Sequence, residues 1–416
     1  MLWFSNTPAL GTEFLTPEAL TGGWLNALNK ELQEYVELHM IFYYARYAEK
    51  FYYKKTHYYP ICKRNWKLQV FKNIIFNTFI DTQDKHIYLS LIKEIQPDII
   101  HIHGTENPFA CIIGEVDIPI VISMQGNISV ILKKYSSGIE KKFFSINNYN
   151  IKNLRSFIFS RPFNVNLKQY KKMQKREERN MLKCSNIIGR TDWDKRISSI
   201  LSPDRRYFHN DEILRDIFYT EKWIYPPNTG KLILHTTSRN SPYKGFETIC
   251  ESLYELHKAN IQNIEWRVAG ISESDLIVKV VKKKLKNRYP QNGLVLLGNI
   301  NETQLIEKLK EAHIYIMTSH IENSPNGLCE AMMLGMPCIA TNVGGTPSLL
   351  KDGEEGILIQ DGDPWSLAGT ILELYNNPDK AAEYGKKARE KALIRHDKNK
   401  IVNELLDIYK SISSVN

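Results

Sequence analysis

Between residues 231 and 360 short, largely apolar runs recur at regular intervals, and apart from IEWRVAG none of them alternates apolar with polar residues. The runs are KLILHTTS (231–238), IEWRVAG (264–270), LVLLGN (294–299), IYIMTS (314–319), PCIAT (337–341) and GILIQ (356–360). A strand apolar on both sides must be covered on both faces, which a parallel sheet sandwiched between helices provides. The stretches between the runs, 246–260, 272–288, 302–312, 327–334, 346–351 and 364–376, carry helical periodicity. The spacing therefore predicts a doubly wound α/β domain.

The first half repeats the alternation. MLWFSN, HMIFYYARY and FYYKKTHYYPI read as strands, with a helix over 23–37 between the first two; PDIIHIHG, IPIVISMQG and SNIIGRTD follow. The tyrosines of 42–59 read as strand aromatics in a core rather than as a stacking surface. A chain of 416 residues exceeds what one core normally serves. Two prolines and a glycine in EKWIYPPNTGK interrupt both periodicities, which sets the expected domains at 1–225 and 226–395. Residues 396–416 hold a helix with Ile401, Leu405, Ile408 and Tyr409 on one face, expected to pack back on the N-terminal domain. Two such domains facing a cleft would bind ligands beyond the carboxyl ends of their strands.

Charge is unevenly placed. Formal net charge is +9, yet residues 131–183 hold 14 Lys and Arg against 3 Glu, so the remainder carries a net −2. This basic insertion fits either peripheral contact with an anionic membrane or an ordinary solvated helical insertion. Nucleic acid is disfavoured, since no binding motif accompanies the charge. The six cysteines are dispersed without a Cys-x-x-Cys pair, which points to reduced thiols in a cytoplasmic protein. No secretory signal is recognised at the N-terminus and no apolar run reaches the ~18 residues of a membrane span.

Chemistry concentrates after the strands. Glu322 follows IYIMTS; then Ser324, Pro325, Asn326 and Gly327 make a turn into a helix that carries Glu330. A glycine turn at a helix N-terminus is suited to phosphate, and a first-turn carboxylate is favoured by the helix dipole. Glu330 could also hold a vicinal diol such as a ribose. The strand KLILHTTS leads into Arg239 and Lys244, two cations able to stabilise charge on a diphosphate leaving group. Two plainer readings stay open for the acids: Glu322 as a solvated loop residue and Glu330 as a dipole-complementing one.

SRNSPYKG, and ENSPNGLCE followed by AMMLGMPCIATNVGG, resemble the Arg-x4-Lys and Glu-x7-Glu signatures of the retaining glycosyltransferases of family 4. The match runs through nearly all of 231–377 and is patchier before it, resting on TGGW and PDIIHIHG. The resemblance implies a GT-B fold, two Rossmann-like domains, and transfer of a sugar from a nucleotide diphosphate donor to a saccharide or lipid-linked acceptor, in bacterial surface polysaccharide synthesis. It places Glu322 at the donor sugar, Glu330 at the ribose, and the backbone of Asn326, Gly327 and Leu328, beside Ser324, at the distal phosphate. Arg239 and Lys244 would meet the diphosphate, which Gly22 and Gly23 approach from the N-terminal domain. His103 matches the family's histidine near the donor sugar; by itself it reads as a strand-end histidine. Glu322, His103, Arg239 and Lys244 are thus the expected catalytic group. Family members keep the anomeric configuration.

Two departures stand out: Gln125-Gly126 where His-Gly is frequent, and Ser348 where a glutamate is common. Asp192 with Asp194, and Asp361 with Asp363, form Asp-x-Asp patterns. Asp-x-Asp is common by chance, and the second pair reads as a turn plus the N-cap of the helix at 364, so no metal or other cofactor is expected. A sugar-nucleotide epimerase and a catalytically silent partner subunit of similar fold are the alternatives.

Overall fold

The computed structural model describes residues 1–16, 23–62, 84–145, 163–227 and 230–414. Gly22 and the middle of the basic segment, 146–162, lie outside the described residues. Contacts group the chain into two compact units: residues 1–129, 168–213 and 396–416 form the first, 130–167 and 214–395 the second.

The second unit is a six-stranded parallel sheet of β9 (Leu232–Thr237), β10 (Ile264–Ala269), β11 (Leu294–Gly298), β12 (Ile314–Met317), β13 (Cys338–Thr341) and β14 (Ile357–Ile359). Their order is β11-β10-β9-β12-β13-β14, the doubly wound order 3-2-1-4-5-6 of Rossmann folds. β12 and β13 are buried throughout, as expected of central strands sealed on both faces. All six apolar runs became strands. The sequence pattern missed helix Pro378–Arg395. Its buried face is Ala381, Tyr384, Gly385, Ala388 and Ala392, mostly too small to give a strong apolar contrast. The smallness is needed, because a Cβ on Gly385 would overlap the carbonyl oxygen of Gly335.

The first unit is an eight-stranded sheet in the order β3-β4-β2-β1-β5-β6-β7-β8. Its members are β1 (Leu2–Ser5), β2 (Leu38–Tyr44), β3 (Phe51–Tyr53), β4 (Thr56–Cys62), β5 (Ile100–His103), β6 (Ile120–Ser123), β7 (Asn186–Gly189) and β8 (Arg206–His209). All pairs are parallel except β3 with β4. FYYKKTHYYPI was expected as one strand and is a hairpin instead. Lys54 and Lys55 both take positive φ, 50° and 51°, a two-residue turn of the kind usually built from Asn-Gly. The aromatics divide: Phe42 and Tyr58 are fully buried, Tyr47 and Tyr52 exposed.

The last helix, Lys398–Ser413, belongs to the first unit and buries Ile401, Leu405, Ile408 and Tyr409. The Tyr409 hydroxyl lies 2.6 Å from His101 Nδ1 and accepts from Trp3 Nε1 at 3.4 Å. The expected boundary at 225/226 falls inside the second unit, because Trp223 is already buried there. Its amide donates to Leu334 O and its indole nitrogen to Ala312 O, both at 2.8 Å. Likewise the start of the basic segment, 131–145, packs in the second unit rather than in the first.

Tyr409→Phe should leave buried His101 and Trp3 short of a partner. We expect a loss of about 1–3 kcal/mol, read as a lowered urea midpoint with unchanged circular dichroism.

Candidate functional site

In the second unit the strand order reverses between β9 and β12, so their connections leave on opposite faces and a crevice opens beyond their carboxyl ends. Residues 238–244 follow β9, and 318–322 follow β12. Lys244 closes a 3-10 turn begun by Pro242, and its ammonium pairs with the Glu322 carboxylate. Ser319 Oγ donates to the same Glu322 oxygen at 2.7 Å. Both partners are largely shielded, with side chains 18% and 11% exposed. Two groups 78 residues apart thus meet at the reversal point.

The loop bearing Glu322 is fastened on three sides. His320 N–H donates to Tyr243 O at 2.8 Å, and Gly345 N–H donates to Glu322 O at 3.0 Å. Thr341 Oγ1 donates to Ser319 O at 2.6 Å. Gly344, at φ 53°, lies against the Glu322 carbonyl so closely that a Cβ would overlap it. Arg239 is on the β9 loop, exposed, and among the described residues it has no ion-pair partner. Asn240 ties that loop down: its side chain donates to Asp275 Oδ1 at 3.2 Å and accepts from Ile277 N–H at 3.1 Å.

Helix Asn326–Leu334 starts from Pro325. Gly327 is required by crowding, since a Cβ would stand 2.5 Å from the Tyr315 hydroxyl and 3.2 Å from Thr237 Cβ. The N-terminus is therefore seated directly on the ends of β12 and β9. The Leu328 N–H donates to Pro325 O at 3.0 Å; those of Asn326 and Gly327 precede any intrahelical acceptor. Ser324 is buried, its hydroxyl 3.9 Å from Cys329 Sγ.

Glu330 is placed differently from expectation. It lies beyond the first turn and is buried, and it is held by Arg215 rather than by the helix dipole. Arg215 Nε and a terminal guanidinium nitrogen donate to its two oxygens, each at 2.8 Å. Burial pushes the Glu330 pKa up; Arg215 opposes this without cancelling it. Sequence reasoning missed Arg215, which stands in LRDIF without a distinguishing pattern, 115 residues from its partner. It also missed Asn240 and His320.

In the first unit the reversal lies between β1 and β5, and His103 ends β5. Neither ring nitrogen has a partner among the described residues, and the side chain is 2% exposed. Burial first, then the neighbouring His101 and Arg190, drive its pKa well below the ordinary value, so the imidazole is neutral. It is enclosed by Trp3, Trp24 and His101 at ring separations of 4.5, 5.7 and 3.9 Å. Gly23 caps helix Trp24–Leu32 at φ 126°, ψ 160°, a region only glycine occupies readily. Arg190 N–H donates to Asp194, and Asp363 caps helix Pro364–Tyr375 through the amides of Trp365 and Ser366.

Removing Arg215 should strand a buried carboxylate. Arg215→Leu is expected to cost about 3–5 kcal/mol at neutral pH. An acid whose pKa is raised on folding binds its proton more tightly when folded, so the cost of keeping it ionised falls away below its ordinary range. The deficit should shrink as pH drops toward 4.5 and be largely repaired in R215L/E330L, read by unfolding midpoints across pH.

Residues 218–391 match the family described as glycosyl transferases group 1. Among curated proteins, 128 residues are 29% identical to N-acetyl-alpha-D-glucosaminyl L-malate synthase of Bacillus anthracis, covering 31% of this chain and 33% of that one. Another 28% identity, over 185 residues, is to poly(ribitol-phosphate) alpha-N-acetylglucosaminyltransferase of Staphylococcus aureus, covering 44% and 36%. The matches span about a third of those relatives' own length. Among solved structures, sucrose-phosphate synthase from Thermosynechococcus elongatus aligns over 100% of this chain and 99% of its own, with a TM-score of 0.72 at 13% identity. Anabaena HepE in complex with UDP and glucose aligns over the same shares with a TM-score of 0.63 at 13% identity. The architecture is therefore GT-B, two Rossmann-like domains, and residues 218–391 are similar to the glycosyl transferases group 1 family.

Proposed function

We propose that this protein is a retaining glycosyltransferase of family 4, moving a sugar from a nucleotide diphosphate donor to a saccharide or lipid-linked acceptor. The observation that carries the reading is the meeting of Lys244 with Glu322 where β9 and β12 end, beside a helix N-terminus seated on the same strands. One cation, one carboxylate and a set of amides at a strand-order reversal suit a ligand with a diphosphate and hydroxyls. The Anabaena neighbour, in complex with UDP and glucose, supports a ligand of this class, and the names of the curated relatives support transfer of a sugar.

In this reading Lys244 and Arg239 stabilise charge growing on the diphosphate as the glycosidic bond breaks. Glu322 accepts hydroxyl protons of the donor sugar, and Ser324 with the amides of Asn326, Gly327 and Leu328 faces the distal phosphate. Glu330, oriented by Arg215, keeps lone pairs for the ribose hydroxyls. Gly22 and Gly23 give the diphosphate close backbone approach, and neutral His103 offers a hydrogen bond to the sugar. The bond electrons leave with the phosphate oxygen, which then takes the acceptor hydroxyl's proton as its oxygen bonds the same face of the anomeric carbon. No metal takes part. Assembly of a bacterial surface polysaccharide, with the basic segment resting on the inner face of the cell membrane, is the setting we propose. Among the described residues no helix is long and apolar enough to cross a membrane.

The test is a panel of nucleotide sugars incubated with saccharide acceptors, with the product glycoside and its anomeric configuration read by mass spectrometry and NMR. Lys244→Ala and Arg239→Ala should each lower kcat by roughly a hundredfold, the ~3 kcal/mol typical of one lost charge-stabilising donor. Glu330→Ala should chiefly raise the donor KM. Turnover should persist in excess EDTA; abolition by EDTA with recovery on adding manganese would reject the metal-free mechanism.

A further inference from the structure

Beneath the loop that carries Glu322 lies a buried cluster that the proposed reaction does not use. His320 Nε2 stands 2.6 Å from Glu247 Oε1, and its Nδ1 stands 3.1 Å from Asp361 Oδ2. The His320 and Glu247 side chains are 2% and 1% exposed, Asp361 23%. Glu247 is in the first turn of helix Phe246–Lys258, which begins two residues after Lys244. Asp361 follows β14. The imidazole therefore bridges three chain segments, two of which carry Lys244 and Glu322.

The fourth wall comes from the far side of the sequence. Residues 131–145 belong to the basic segment, yet they pack within this unit. Gly138, at φ 72°, is pressed onto the histidine and glutamate, so that a Cβ would overlap Glu247 Oε1 and stand 2.7 Å from His320 Nε2. Lys134 reaches Asp361 at 3.6 Å, and Tyr135 packs against Tyr243, ring centroids 6.2 Å apart. Tyr135, Ile139 and Phe144 are buried, and the turn Lys141–Ser145 rests on helix Leu276–Leu285. This part of the basic segment is thus folded against the second unit through defined contacts.

We propose that Lys134, Tyr135 and Gly138 of the inserted segment, with His320, Glu247 and Asp361, form a positioning clamp that fixes the Glu322 loop against the Lys244 turn. The proposal rests on the donor-site reading for its effect on ligand, though the clamp itself is a statement about the loop. The charged groups facing His320 are Glu247 and Asp361, with Lys134 behind Asp361 and the Lys244–Glu322 pair along the loop. Burial alone would lower the His320 pKa; the bond and charge of Glu247, then of Asp361, outweigh it and hold it above its ordinary 6.5. A raised pKa means that the cationic bridge is complete below 6.5 and is lost as pH climbs through the raised value.

Hydrogen exchange of residues 241–245 and 318–324 is to be followed in the wild type, Gly138→Ala, His320→Gln and Lys134→Ala. Affinities for UDP, ADP and GDP are to be measured by calorimetry from pH 5.5 to 8.5. In G138A and H320Q we expect about tenfold faster exchange of the 318–324 loop with β13 and β14 unchanged, and about tenfold weaker binding of the preferred nucleotide. Donor KM should rise more than kcat falls. The wild type should lose affinity toward alkaline pH, and H320Q should lack that limb. Loop exchange equal to wild type in both G138A and H320Q would overturn the clamp; should G138A fail to fold, H320Q and K134A decide in the same way. A wild type that binds none of the three nucleotides would instead count against the donor-site reading, while the exchange result still decides the clamp.

Discussion

Everything in the candidate site depends on where a parallel sheet changes direction. Once β9 has sent its crossover to β10 and β12 sends its own to β13 on the opposite face, the loops leaving those two strands part and a crevice is left between them. Backbone polarity has to be satisfied there by side chains and turns. The solution is a ring of small devices: the Lys244 turn, Thr341 bonded to Ser319, Gly344 under Glu322, and Gly327 pressed on Tyr315. A cation and a carboxylate are held at this spot because the rest of the sheet has no equivalent gap.

The two acids flanking the Ser-Pro-Asn-Gly turn differ in ways their spacing conceals. Glu322 pairs with a lysine one strand away, while Glu330 is locked in a two-pronged contact with Arg215 and is deeply buried. A compact ammonium can shift by rotating about its stem when an anion arrives, whereas a guanidinium fork fixes both the plane and the position of its partner. The first acid is thus set for exchange of partners and the second for permanence.

Much of the second unit was legible in the sequence because its signals are local. Most of its strands are short runs dominated by apolar residues, and Arg239, Lys244 and Glu322 lie on loops that follow two of them. That locality is also why the three could be assigned from the sequence to those loops. What escaped depended on distance or on smallness. Arg215 meets Glu330 over 115 positions, and nothing in LRDIF marks it. Helix Pro378–Arg395 packs mostly through alanines and a glycine, with one tyrosine, which periodicity registers poorly. The Lys54-Lys55 hairpin uses residues that seldom take positive φ. The basic segment was judged by its charge, yet its described beginning is organised by Tyr135, Gly138 and Ile139, whose partners lie in another part of the chain.

The route of the backbone has a consequence for how the molecule is made. The first unit is assembled from three separate pieces, and Tyr409 bonds a histidine 308 positions earlier. While a ribosome is producing the chain, that opening sheet has to wait, with the flank that Leu405 and Ile408 will later cover still wet, until the intervening unit has been synthesised. The second unit needs only residues up to 395. The order of completion is therefore inverted relative to the order of synthesis, and the vulnerable interval belongs to the part made first.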